Sequence, residues 1–284
     1  MDRNTDIIFF SLSRYDDPIS FVGFSLAKEL AKHNRVFFIE QPFTLKDQLT
    51  GATPAVAKRK QYWKGGQNKY LNDPSFPEKL RYVVPPRMLP VNFLAHGKIY
   101  DLLSSRNNNS MYELIRDIKK ENQISSYIFI NCFNPFYIDG FPDDIKPAVN
   151  VYYCVDDISQ VEYTRKHGAR KETELIKHAD VCFATGLELQ RIKALINPKT
   201  YYLPNAGDFT LFSRAANEVL KKPVELSGSE NRKIIGFTGS VEYRTDFDLL
   251  KKMVGYHKNK LFVVVGPVYA KEVSEMGFDQ MPNV

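Results

Sequence analysis

The chain has 284 residues, long enough for two domains and a sizeable core, and its 43% hydrophobic and 25% charged residues place it among soluble globular proteins. A net charge of +6 argues only for mild attraction to anions, and no recognised nucleic-acid-binding motif accompanies it. The three cysteines, Cys132, Cys154 and Cys182, form no CxxC pair, which excludes a zinc ribbon or a disulfide framework and leaves reduced, buried thiols.

In chain order, strands are predicted at Ile7–Leu12, Arg35–Ile39, Leu80–Val84, Tyr127–Asn131, Val149–Cys154, Val181–Ala184 and Thr200–Leu203. Their apolar residues run continuously rather than alternating, as in parallel strands covered by helices on both faces. Between them, helical spacing marks a segment from Phe21 to Ala31, a second over Ser110–Glu121, a third over Lys171–His178 and a fourth over Leu187–Leu195. The alternation predicts a doubly wound α/β lobe. The stretch Thr44–Tyr70 shows no clear period. Within it, Lys58, Arg59, Lys60, Lys64 and Lys69 accompany Tyr62 and Trp63 without an acid, so Lys58–Tyr70 reads either as a peripheral membrane contact or as a solvated loop.

Residues 217–232 are polar and rich in Gly, Ser and Pro, and are read as a linker. The alternation then restarts with a strand at Lys233–Thr238, a helix at Phe247–Val254 and a strand at Leu261–Val265. This gives an amino-terminal domain over 1–216 and the start of a second α/β domain over 233–284, expected to be truncated. No stretch approaches ~20 apolar residues, and Ile7–Leu12 is too short for a signal-peptide core. The expected setting is therefore cytoplasmic, soluble or at the inner face of the membrane.

Four motifs can carry chemistry. Gly239-Ser240 follows a strand and precedes Arg244; the glycine lets backbone N–H groups approach an anion, and the arginine can grip a diphosphate. Gly266-Pro267 ends the next strand at the sheet edge where ligands of open α/β sheets bind. Asp156-Asp157 follows the Val149–Cys154 strand; two adjacent carboxylates separate in pKa, and one can act as a general base. Asp246-Phe247-Asp248 can hold a divalent cation, but Thr245-x-x-Asp248 fits a capping box, and the cap is the preferred reading. His167, before Gly168 in an expected polar turn, either shares a cleft with Asp157 or is a surface histidine.

The stretches Val149–Asp157, Leu175–Gly186 and Tyr202–Asp208, followed by Phe209-x-x-Phe212, together with Ile235–Ser240 and Phe262–Pro267, resemble bacterial GT-B fold glycosyltransferases of the group 1 type. The resemblance covers most of the chain from Asn150 onward. It implies an α/β protein of two Rossmann-like lobes, the second incomplete, with an acceptor-side first lobe and a nucleotide-sugar-binding second lobe. It implies transfer of a hexose or uronic acid from a sugar nucleotide to a cell-surface polysaccharide or lipid-linked acceptor, with no cofactor and no metal. Asp157 or Asp156 would be catalytic; Gly239, Ser240, Arg244 and Gly266 would bind the donor; His167 and Ser13 would face the acceptor. The family's E-x7-E donor motif would lie beyond Val284, so this chain is expected to be inactive or an acceptor half. A sugar-nucleotide epimerase of the same fold and a non-catalytic sugar- or partner-binding module are the alternatives.

Overall fold

The computed structural model describes residues 5–17, 21–51, 53–63, 68–160, 162–229, 231–269, 275, 277 and 280–284. It divides into two compact units, Met1–Ala206 and Gly207–Val284.

The first unit runs β1 (Asp6–Ser11), α1 (Val22–Leu30), β2 (Arg35–Ile39), α2 (Leu45–Thr50), α3 (Pro54–Trp63), β3 (Tyr70–Leu71), β4 (Leu80–Val83), α4 (Lys98–Glu121), β5 (Tyr127–Cys132), β6 (Val149–Cys154), α5 (Glu162–His178), β7 (Val181–Ala184), α6 (Leu187–Ala194) and β8 (Thr200–Tyr202). The strands form one sheet in the order β3-β4-β2-β1-β5-β6-β7-β8, parallel throughout except for the short edge strand β3. All seven strands predicted for this region are present, with ends shifted by a residue or so.

The continuous apolar runs have a direct physical reading. Successive strand side chains point to opposite faces. Ile7 and Phe9 of β1 and Val36 and Phe38 of β2 enter one core, with Ala27 of α1 and Ile176 of α5. Ile8 and Phe10 of β1 and Phe37 and Ile39 of β2 enter a second core, with Met111, Ile115 and Ile118 of α4. Each fully buried Phe or Ile contributes about 1.5–3 kcal/mol relative to exposure, so a strand apolar on both faces is stable only between two helical layers.

Two helices are longer than their apolar spacing indicates: α4 begins at Lys98 rather than Ser110, and α5 at Glu162 rather than Lys171. In α4 the hidden turns bury Asn107 and Asn108. Asn107 exchanges two hydrogen bonds with the Leu89 backbone, at 2.8 and 3.0 Å, and Asn108 accepts from Ile138 N at 3.3 Å. Polar residues pinning loops break the hydrophobic period while the helix continues. The aperiodic stretch from Thr44 holds α2, opened by a capping box in which Thr44 and Asp47 satisfy each other's backbone N–H groups, and α3. The three cysteines are buried and unpaired.

The second unit holds α7 (Phe209–Phe212), α8 (Arg214–Asn217), β9 (Lys233–Thr238), α9 (Phe247–Tyr256) and β10 (Lys260–Val265). The residues read as a linker, 217–232, lie within this unit, mostly exposed, with one helical turn at Val224–Leu226. Strands β9 and β10 pair in parallel, and a small core of Val254 and Phe262 sits between them and α9. Ile234, Phe237 and Val265 stay 42, 38 and 56% exposed, so this α/β lobe is incomplete. The cap of α9 is Asp246, whose Oδ1 accepts from Leu249 N at 2.9 Å, rather than Thr245; the first aspartate of the D-x-D motif is engaged as a helix cap. Among the described residues no helix is long and apolar enough to cross a membrane.

Candidate functional site

In the first sheet the chain leaves β1 toward β2 on one side and later continues from β5 on the other. That reversal opens a crevice at the carboxyl ends of β1 and β5, the expected ligand position in an open α/β sheet. The residues there are polar, buried and bonded to one another. Ser11 and Ser13 share a hydrogen bond of 2.9 Å between their hydroxyls. Asn134 Nδ2 donates to Ser11 O (3.2 Å) and Gln41 Oε1 (2.6 Å), and Asn131 Nδ2 donates to Asn134 O (3.0 Å). Phe133, at φ 40°, makes the turn that carries Asn134 back over the sheet, and Ile138 closes the loop at φ 60°. Positive φ is costly for both residues and for β-branched Ile especially. Ser13 therefore lies at the crevice, 1% exposed, with its hydroxyl committed to Ser11.

Beside it is a charged cluster that the sequence pattern does not reveal. Arg59 of α3 is fully buried and bidentate on both sides: Nε donates to Glu40 Oε1 at 3.0 Å and Nη2 to Asp16 Oδ1 at 2.7 Å, with second bonds to each carboxylate. Tyr82 donates its hydroxyl to Glu40 Oε2 at 2.6 Å. Burial raises the Glu40 pKa above the usual carboxylate range against the pull of Arg59. Burial acts the same way on Asp16, but the Arg59 hydrogen bonds and charge outweigh it and hold its pKa down. Arg14 stacks its guanidinium 3.7 Å from the Phe43 ring centroid and donates to Pro42 O at 3.1 Å, while its Nε is shielded from solvent with no hydrogen-bond partner among the described residues. It lines a cavity of about 540 Å³ with Gln41, Phe43, Thr44, Thr53 and Thr164.

This arrangement corrects the solvated-loop reading of Lys58–Tyr70. Arg59 faces the interior, Lys69 pairs with Asp117 and Glu121, and Trp63 donates Nε1–H to Pro85 O at 3.2 Å and packs on Phe43. Lys58, Arg59 and Lys69 are met by acids distant in sequence, and residues 58–63 belong to α3 rather than to a solvated loop. Lys64 lies outside the described residues.

Asp156 and Asp157 follow β6, one strand beyond β5, about 10 Å across the sheet from the end of β1. Their environments differ. Asp157 Oδ1 accepts from Ser159 N (3.0 Å) and Ser159 Oγ (2.6 Å), and Oδ2 from Gln160 Nε2 (3.1 Å). Partial burial raises its pKa, but these hydrogen bonds prevail and hold it below the ordinary value. Asp156 is exposed.

His167 is neither in a turn nor on the surface. It lies within α5, 1% exposed, stacked on Tyr100 at 3.8 Å, with Nε2–H donated to Leu94 O at 3.0 Å. Burial lowers its pKa. Its Nδ1 has no hydrogen-bond partner among the described residues, and the stacked ring docks α5 against the 94–100 segment. Gly168 lets the same helix approach Pro135, where a Cβ would meet Cγ at 3.0 Å.

In the second unit Gly239 and Gly266 come together. Their φ values are 151° and 150°, and a Cβ on Gly266 would stand 2.0 Å from Gly239 O. Gly239 N donates to Val265 O and Val241 N to Pro267 O. The two turns thus form one backbone surface at the carboxyl edge of β9 and β10 that admits no side chain. Ser240 lies in the first turn, and Arg244, 71% exposed, donates Nε–H to Glu242 Oε1 at 2.7 Å.

No protein-family model and no curated protein sequence matches the chain. Solved structures do share its fold. The catalytic domain of starch synthase IV from Arabidopsis thaliana, bound to ADP and acarbose, aligns over 98% of this chain and 72% of its own, with a TM-score of 0.58 and 11% identity. Anabaena HepE in complex with UDP and glucose aligns over 98% and 68%, with a TM-score of 0.53 and 10% identity. A UDP-glucosyltransferase from Polygonum tinctorium aligns over 98% and 69%, with a TM-score of 0.51 and 12% identity. At these identities the likeness establishes the fold, that of the two-lobed GT-B proteins with the second Rossmann-like lobe incomplete.

Proposed function

We propose that this chain is the core of a glycosyltransferase that moves a hexose or uronic acid from a sugar nucleotide to a cell-surface polysaccharide or lipid-linked acceptor. The feature that supports the reading is the paired glycine turn of the second unit, where Gly266 leaves the backbone bare at the carboxyl edge of β9 and β10. The fold neighbours bound to ADP or UDP support it. In this reading the Gly239-Ser240 and Gly266 turns meet the donor diphosphate, and Arg244 exchanges its Glu242 contact for the more highly charged ligand. The leaving diphosphate is neutralised by these groups without a metal.

On the first unit, Asp156 orients or deprotonates the acceptor hydroxyl, because it is exposed and keeps ordinary access to solvent. Asp157 is a positioning residue that fixes the turn bearing Asp156. The cavity lined by Arg14, Gln41 and Thr44 takes the acceptor saccharide. Sugar-nucleotide chemistry and three buried thiols fit a cytoplasmic setting.

Calorimetric titration with UDP and ADP tests the donor half directly. The chain should bind at least one of them, and Arg244→Ala should weaken that binding at least about tenfold, the loss of one charge-assisted contact. Binding of neither nucleotide, or an unchanged affinity in R244A, would overturn the donor assignment.

A further inference from the structure

Strands β9 and β10 are parallel, so the helix between them runs back from the carboxyl edge of the sheet to its amino edge. The glycine turns occupy the first edge. At the other meet the last turns of α9, the turn over residues 257–259, and the first residues of both strands, with Lys233 and Lys260 directly opposite in the ladder. This amino edge collects Arg232, Lys233, Lys251, Lys252, Lys258 and Lys260. Neither 231–241 nor 249–265 contains an acidic residue. Among the described residues none of these cations forms an ion pair; Arg232 instead donates to Lys260 O at 2.9 Å and holds the edge together. The acids of α9, Asp246 and Asp248, are at its opposite end. A helix dipole favours cations in its final turn, but Lys233, Lys258 and Lys260 lie outside the helix and gain nothing from it. Tyr256, on the same helical face as Lys252, projects from this edge at 84% exposure.

We infer that the amino edge of the second unit's sheet is a docking surface for an anionic lipid bilayer. A cationic rim without an ion pair among the described residues attracts acidic headgroups, each lysine strengthening partition about fivefold near the surface, and an exposed tyrosine settles at headgroup depth. This surface is separate from Lys58–Tyr70, which belongs to the first unit, and it stands whether or not the chain transfers sugar.

The test is co-sedimentation of the full chain with vesicles of phosphatidylcholine alone and of phosphatidylcholine with about 30% phosphatidylglycerol. Binding is expected to the anionic vesicles only. Lys252→Ala with Lys258→Ala should lower partition about 25-fold, from two factors of five. Lys120→Ala with Lys199→Ala, an equal charge change at exposed positions of the first unit, should leave it within about twofold of the parent. Equal losses in the two double variants would reduce the effect to net charge and overturn the assignment. So would equal binding to neutral vesicles, or binding to duplex DNA with the same sensitivity and none to vesicles.

Discussion

The two carboxyl edges of this protein are built in opposite ways. In the first unit the edge is made by side chains: Ser, Asn, Gln, Arg and Glu residues from loops distant in sequence interlock beneath the surface, and two non-glycine residues are held at positive φ to complete the set. In the second unit the edge is made by backbone, with Gly266 packed against Gly239 O where no side chain fits. Side-chain surfaces discriminate shape and hydroxyl pattern; a bare backbone surface offers N–H groups to any anion of suitable size. In the proposed reading this difference suits a variable saccharide on one unit and an invariant diphosphate on the other.

The largest effect should come from cutting the side-chain edge. Arg59→Ala leaves Glu40 buried without its cation and should cost about 3–5 kcal/mol in urea denaturation. The two carboxyls respond to pH with opposite signs. The Glu40 pKa is raised, so its contribution is complete below its unfolded value of 4.5 and declines as pH rises through the folded value. The Asp16 pKa is lowered, so its contribution is complete above 3.8 and is lost as pH falls through the folded value. Removing Arg59 lifts the Glu40 value further, so the deficit of R59A should narrow between pH 8 and pH 5. A deficit that holds constant between pH 8 and pH 5 and narrows only as pH falls below 3.8 would show that Asp16, not Glu40, dominates the cluster.

Gly266→Ala breaks the backbone edge. The added methyl meets Gly239 O at a distance no packing allows, at a φ that alanine avoids, and the turns must separate. A loss of about 1–3 kcal/mol is expected, together with nucleotide affinity, by thermal unfolding and calorimetry. Retained nucleotide binding in a folded G266A protein would place the anion site elsewhere. The smallest effect sharpens the acidic pair. Asp157→Asn should cost about 1 kcal/mol through its turn, and Asp156→Asn under about 0.5. In a transfer assay the order should reverse, with D156N losing about 10²-fold or more in kcat. If D157N is the more damaged in turnover, the roles assigned here are interchanged.

The strands were legible because burial on both faces forces continuous apolar runs such as Ile7–Phe10, and that signal survives without any knowledge of partners. The glycine turns and the acidic pair were legible because they sit directly after such strands. What the sequence concealed depends on distance along the chain. Nothing near Arg59 announces Glu40, Asp16 or Tyr82, so five local cations read as a charged patch. Asn107 and Asn108 look like a loop until their partners at Leu89 and Ile138 are known. His167 reads as polar beside Gly168, whereas the glycine marks a close helix–loop contact and the histidine a stacked one. The cap of α9 fell on Asp246 instead of Thr245, a one-residue shift within the uncertainty of helix ends.

Strand β9 is six residues long, so the glycine turns lie about 20 Å from the cationic rim at its other end. That is more than two screening lengths at physiological ionic strength, where the Debye length is about 8 Å. The two anion-attracting ends of this small unit are therefore electrically insulated from each other. In the proposed reading, a nucleotide arriving at one end neither repels acidic headgroups from the other nor competes for their lysines, and donor exchange can proceed many times during a single residence on a bilayer.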